Sequence, residues 1–243
     1  GWTLLWRGDF ATARLQFEES SALFDDLRIE MYYRLESRLG LCWANLGLGR
    51  YEDALSQAQG CLDLARDVGT GWGISTSLAT LGVLALREVF FEKAQQLFRE
   101  GAAAVPPVFE PLQAPAWFEL WLSLAACRLC QMRRAREHLS ACLRIVNEQR
   151  YFPRVLCSVL AAALLLAYDE QAEHAVELYA LASRYSAVAN SQRYEDGVGK
   201  EIATVAATLP PDLVAAAQER GNARDLGETV EELLEEFGHA DIG

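Results

Sequence analysis

The sequence predicts an all-α chain, an α-α superhelix of about five helical hairpins closed by a C-terminal helical cap. Three observations carry this. Long stretches are rich in Ala, Leu, Glu and Arg, with Gly and Pro sparse, which is a helical composition. Alanines recur at residues 13, 54, 94, 135 and 175, at intervals of 41, 40, 41 and 40. No segment shows sustained polar–apolar alternation or a tight Asn-Gly or Asp-Gly turn between β-branched runs, so no strand hairpin is expected.

Each marker alanine sits in one frame. Gly8-Asp9-Phe10 precedes Ala13 and Phe17 follows it; Gly49-Arg50-Tyr51 precedes Ala54 and Ala58 follows. Val89-Phe90-Phe91 leads to Ala94 and Phe98 in the same way. The last two copies are weaker: Cys130-Gln131-Met132 with Ala135 and Leu139, then Glu170-Gln171-Ala172 with Ala175 and Tyr179. The small residue lets two helices cross closely, and the large residues three before and four after it share its helical face and fill the space around the crossing. Glycine in the turn slot frees the backbone to end the first helix. The third to fifth slots lack it, so those turns are expected to close by other means. One hairpin leaves an apolar face uncovered, which the next hairpin buries, so such units come in stacks.

Beyond residue 185 the interval breaks, giving a repeat array over 1–185 and capping helices over 186–243. Tyr194 to Leu209 reads as a helix, which Pro210-Pro211-Asp212 stops before the next begins. Asp225, three residues before Glu228, reads as the N-cap of a last helix through Phe237. The acidic run Glu228, Glu231, Glu232, Glu235 and Glu236 is read as one solvated face of that helix.

Leu81-Gly82 followed by Phe91, Ala94, Phe98 and Pro106 resembles the tetratricopeptide consensus. Gly8/Phe10/Ala13/Phe17 and Gly49/Tyr51/Ala54 resemble its second half. The usual repeat is about 34 residues and this one is longer. That longer form is similar to the sensor arrays of STAND signal-transduction ATPases and their LuxR-type regulator relatives. Ala187-Val188-Ala189-Asn190, Leu209-Pro210-Pro211 and the segment from Arg224 to Leu234 resemble the region that often ends those proteins.

Composition bounds the function. Apolar residues make up 51% of the chain, enough for a large core. A net charge of −12 argues against direct nucleic-acid binding, since phosphates need a basic surface. The small cluster Arg133, Arg134 and Arg136 is read as a solvated helix face. The uncharged run Val155 to Tyr168 is too short to span a bilayer and reads as a buried core helix, and no membrane contact is expected. Six cysteines lie in apolar helical surroundings and are read as reduced, buried thiols of a cytoplasmic protein. The chain starts at Gly1 in mid-pattern, without Met, and is expected to be part of a longer protein.

No catalytic constellation, Walker-type loop or cofactor motif is present, so the chain is read as non-enzymatic and without a cofactor. His138, His174 and His239 each stand alone. Cys127, Cys130, His138 and Cys142 are ligand types that zinc accepts, but they lack the short-loop spacing of ordinary zinc sites, so no metal is expected.

The resemblance implies that the first helix of each hairpin lines a concave groove. Register then assigns Trp2, Trp6, Trp43, Val83 and Arg87 to the wall from the first three hairpins. The fourth contributes Trp117, Leu120, Trp121, Leu124 and Arg128, and the fifth Leu160, Leu164 and Tyr168. Two readings stay open: a tight superhelix buries these residues as core, or they form a groove for an apolar effector or an amphipathic peptide, with Trp and Arg as anchors. The carboxylate-clamping residues of chaperone-tail adaptors are not at the corresponding slots. The leading functional expectation is a sensor arm that binds a small-molecule effector, or a protein or peptide, and relieves an upstream nucleotide-binding module. A constitutive protein–protein scaffold is the alternative.

Overall fold

A computed structural model of the chain describes residues 1–26, 31–105 and 114–238. It is all-helical, with no strand among the described residues. Pro106 of the consensus and His239 lie outside them.

The chain forms two compact units, Gly1–Leu112 with Ser186–Tyr194, and Gln113–Tyr185 with Glu195–Gly243. The first unit holds α1 (Trp2–Trp6), α2 (Phe10–Asp26), α3 (Met31–Gly47), α4 (Tyr51–Val68), α5 (Gly71–Arg87) and α6 (Phe91–Ala103). The second holds α7 (Ala114–Arg128), α8 (Met132–Gln149), α9 (Phe152–Tyr168) and α10 (Ala172–Ser183). The short helices α11 (Ser186–Ala189) and α12 (Gln192–Tyr194) return to the first unit. After a π-helical turn, α13 (Lys200–Ala206), α14 (Pro211–Ala223) and α15 (Leu226–Gly238) complete the second.

Within each unit successive helices pack on one another, and first helices of neighbouring hairpins also touch: α1 on α3, α3 on α5, and α7 on α9. All five marker alanines are fully buried at 0% exposure, where a larger side chain would force the helices apart. The large residue four beyond fills a complementary dent. Phe17 lies against Gly40 and Phe98 against Gly82, each so close that a Cβ on the glycine would overlap the ring.

The hairpin turns overturn one expectation. The third to fifth slots do not close by other means; they keep the shape of the glycine turns. Gly8, Gly49, Val89, Cys130 and Glu170 all have positive φ, between 54° and 74°. In each, the next residue's N–H reaches back five residues: Asp9 to Leu4, Arg50 to Asn45, Phe90 to Ala85, Gln131 to Ala126 and Gln171 to Leu166, at 2.8–3.0 Å. This is the six-to-one bond of a Schellman ending, which satisfies a helix carbonyl that would otherwise lack a donor. The bond and the packing of both flanking helices outweigh the preference of Val, Cys and Glu for negative φ.

In the second unit α9 is the centre. Residues 156–167 are buried without interruption, covered by α7, α8, α10, α13 and α15. The uncharged run that could not span a bilayer is thus a core helix. Among the described residues no helix is long and apolar enough to cross a membrane. The segment read as one helix from Tyr194 to Leu209 starts at Gln192, widens to a π-helical turn at Glu195–Gly199 and ends at Ala206. At α15, Asp225 Oδ1 accepts the N–H of Gly227 at 2.8 Å and of Glu228 at 3.0 Å, so Asp225 is the cap. The five acidic residues after it are exposed.

Glu177 joins α10 to the cap. It is 8% exposed and accepts hydrogen bonds from Arg220 (2.8 Å) and Arg224, while Arg224 also pairs with Glu232 and donates to Thr229 Oγ1 at 3.1 Å. Burial raises the Glu177 carboxyl's pKa, but the two guanidiniums outweigh it and hold the carboxyl below its ordinary value. Gly221 permits this closeness, since a Cβ there would overlap the Glu177 carbonyl.

Candidate functional site

The wall residues fall into three environments. In the first unit Trp2, Trp6 and Trp43 are half-buried. Trp2 meets Phe17 edge to face at 5.6 Å, and Trp2 and Trp43 rest on the cluster of Leu5, Phe10, Ala13, Phe17, Leu41 and Ala44. Val83 is buried at 9% exposure. Arg87 is exposed, pairs with Glu88 and stacks over the Tyr51 ring at 4.0 Å.

In the second unit much of the expected wall is core. Leu120, Trp121, Leu160 and Leu164 are 0–6% exposed. Trp121 stacks on the half-buried Trp117 at 5.2 Å and meets Phe118 edge-on at 5.6 Å. Leu124 is half-buried. Leu120, Trp121, Leu160 and Leu164 are thus core side chains. The α7 helix packs on α8 and α9, and α9 packs in addition on α10, α13 and α15.

Arg128 and Tyr168 are engaged by the chain itself. Arg128, with its side chain 7% exposed, pairs with Glu201 at 2.7 Å and donates to the Gly197 carbonyl. Tyr168 also hydrogen-bonds Glu201; burial, and then this carboxylate, push its hydroxyl well above the usual range. A parallel arrangement occurs at Tyr179, which donates to Glu195 at 3.2 Å and is raised to about 12, mainly by burial.

The first-unit wall is also met by the chain. Arg193 places its guanidinium 4.9 Å from the Trp43 ring centre and 4.2 Å from that of Tyr194. Asn190 Nδ2 donates to the Gly8 carbonyl at 3.3 Å. Sequence reasoning missed Asn190, Arg193, Gly197 and Glu201 as partners of the wall. The one local signal was the retention of glycine at positions 8 and 49.

The cysteine–histidine set is dispersed in environment. Cys127 and Cys142 are buried, Cys130 is exposed at its turn, and His138 Nδ1 sits 2.6 Å from Glu119. Burial lifts the Cys127 thiol to about 12 and Cys142 further. Among the described residues no three His, Cys, Asp or Glu side chains are grouped to hold a metal. An open recess of about 470 Å³, lined by Glu170, Glu173, His174, Glu177, Leu209 and Arg220, is the mouth of the α10–α14 ion-pair cluster.

No protein-family model matches the chain, and it matches no curated protein and no solved structure.

Proposed function

We propose that the chain is a non-enzymatic, tetratricopeptide-like solenoid that binds an effector on the face made by the first helices of its hairpins. The observation that carries this reading is the five-fold recurrence, every 40–41 residues, of one left-handed turn followed by one fully buried alanine. Repetition of that hairpin gives each unit a face of first helices, and solenoids use such faces for binding. Of these wall residues, Trp2, Trp6 and Trp43 are half-buried and Arg87 is exposed in the first unit; in the second unit, taken by itself, Trp117 and Leu124 are half-buried. Half-buried Trp and stacked Arg are the side chains that most often anchor a partner.

By its resemblance to STAND-type sensor arms, the domain regulates a nucleotide-binding module of the same protein in the cytoplasm. An effector switches such a module only by preferring one arrangement of the array. The test is an effector screen read by tryptophan fluorescence and hydrogen exchange, repeated with Trp43→Ala and Arg87→Ala. Reduced affinity and protection on α1, α3 or α5 are expected. Binders that footprint on α2, α4 or α6 and ignore both substitutions would refute the reading. A stable protein partner retained without any small effector would favour the scaffold form of it.

A further inference from the structure

The five hairpin turns share one backbone shape, yet two of them keep glycine. Val89, Cys130 and Glu170 hold the left-handed position as L-residues, so conformation alone does not require glycine at residues 8 and 49. What distinguishes those two turns is what lies against them. A Cβ on Gly8 would overlap the Ser186 carbonyl, and one on Gly49 would come within 2.8 Å of Gln192 Cγ. Both neighbours belong to the same nine residues, Ser186–Tyr194.

The rest of that segment is seated as well. Ala187, Val188 and Ser191 are buried at 2–7% exposure. Asn190 caps the Gly8 carbonyl, and Arg193 lies over Trp43. The Arg193 Nε is buried and makes no hydrogen bond, and no carboxylate pairs with Arg193 among the described residues. Its charge is held by the faces of Trp43 and Tyr194, an attraction that strengthens where water is excluded. Backbone against glycine, a side-chain amide on a turn carbonyl and a cation on a tryptophan are the contacts of a bound peptide.

We infer that Ser186–Tyr194 is a built-in occupant of the first unit's recognition face, and that a polypeptide partner of the same chemistry binds there by displacing it. Such a partner carries small residues opposite Gly8 and Gly49 and an arginine beside an aromatic ring to take the Trp43 position. This rests on the binding-domain reading. A tethered segment acts at high effective concentration, so an outside peptide binds the closed chain weakly, in proportion to the fraction open. Weakening the occupant without altering the face raises that fraction.

The experiment uses the whole chain and a fluorescent peptide with the sequence of residues 186–194. Arg193→Ala should bind the peptide about tenfold more tightly than the unmodified chain, the factor expected from a desolvated cation–π contact. Amides of Asn190, Ser191 and Tyr194, which are hydrogen-bonded within the segment, should exchange faster in that variant. Gly8→Ala/Arg193→Ala should lose the peptide, because the added Cβ fills the track. Arg193→Lys, which keeps the charge, should fall between. Equal affinity in the unmodified and Arg193→Ala chains overturns the inference, as do unchanged exchange or undiminished binding by the double variant. An effector screen that finds no ligand, while these peptide results hold, fails the binding-domain reading and leaves the occupant in place.

Discussion

Gly8 and Gly69 hold almost the same backbone, φ 72° and 74°, in opposite surroundings. A Cβ on Gly69 meets nothing within 4 Å, whereas one on Gly8 overlaps the Ser186 carbonyl. The pair separates the cost of a left-handed L-residue from the cost of blocking a close approach.

Gly69→Ala therefore carries the conformational term alone, about 1 kcal/mol. Gly8→Ala adds displacement of the Ser186–Tyr194 segment and should reach about 3 kcal/mol in all. Urea denaturation at unchanged slope measures both. Equal losses would mean that the Ser186 contact contributes nothing.

Val89 tests the turn from the other side. It is β-branched, at φ 65°, and 66% exposed, so removing its side chain forfeits little burial. Val89→Gly should stabilise by about 1 kcal/mol, the relieved strain exceeding the entropy glycine adds to the unfolded chain. A fall in the denaturation midpoint would show that the turn is not strained.

The hairpin order was legible because its signal is short-range and periodic. A close helix crossing tolerates only a small residue, so Ala13, Ala54, Ala94, Ala135 and Ala175 read directly as contacts, and all five are at 0% exposure. The turns at Val89, Cys130 and Glu170 were misread because propensity is a weak preference that a back-reaching hydrogen bond and two packed helices override. Register assigned the wall positions but not their exposure. Trp121 and Leu164 are buried by the fold, whereas Trp43, Arg128 and Tyr168 are met by Arg193 and Glu201 far along the chain. A chain that returns over such a distance leaves no local pattern. The two retained turn glycines became informative only once all five turns were seen to be alike.

The C-terminal cap should be acid-sensitive through Glu177. Its carboxyl titrates below the ordinary value of 4.5 because Arg220 and Arg224 outweigh its burial. A depressed folded value means the stabilisation is complete above the unfolded pKa and is lost as pH falls through the folded one. Glu177→Gln should cost about 2 kcal/mol at neutral pH, a value reduced from that of a fully buried pair because Arg220 is half exposed. The gap between variant and unmodified chain should narrow below about pH 4. Denaturation at both pH values, with hydrogen exchange on α14 and α15, checks this; a pH-independent gap would assign the loss to shape and not charge.

Thiol chemistry provides an independent test of the packing. Of six free cysteines, Cys130 alone is exposed, at a turn tip. Cys127 is raised to about 12 by burial, and Cys42 is raised by its hydrogen bond with Cys61 and by burial. A disulfide-exchange reagent should titrate one thiol rapidly in the folded chain and all six after denaturation, and Cys130→Ser should abolish the rapid phase. A second rapid thiol would mean that a helix carrying a buried cysteine (α3, α4, α7, α8 or α9) opens in the native state.

Trp43 and Trp121 were assigned to one wall, but their surroundings give them different tasks. Trp121, 6% exposed and in contact with Trp117 and Phe118, is structural, and Trp121→Ala should cost about 3–5 kcal/mol. Trp43 is half-buried beneath Arg193, so Trp43→Ala should lose about 1–2 kcal/mol and loosen Ser186–Tyr194, with faster amide exchange there. Thermal denaturation and exchange on the two variants separate the cases. If Trp121→Ala kept full stability yet lost a ligand, that side chain would face a binding site, and the closed packing around α7 would have to open in solution.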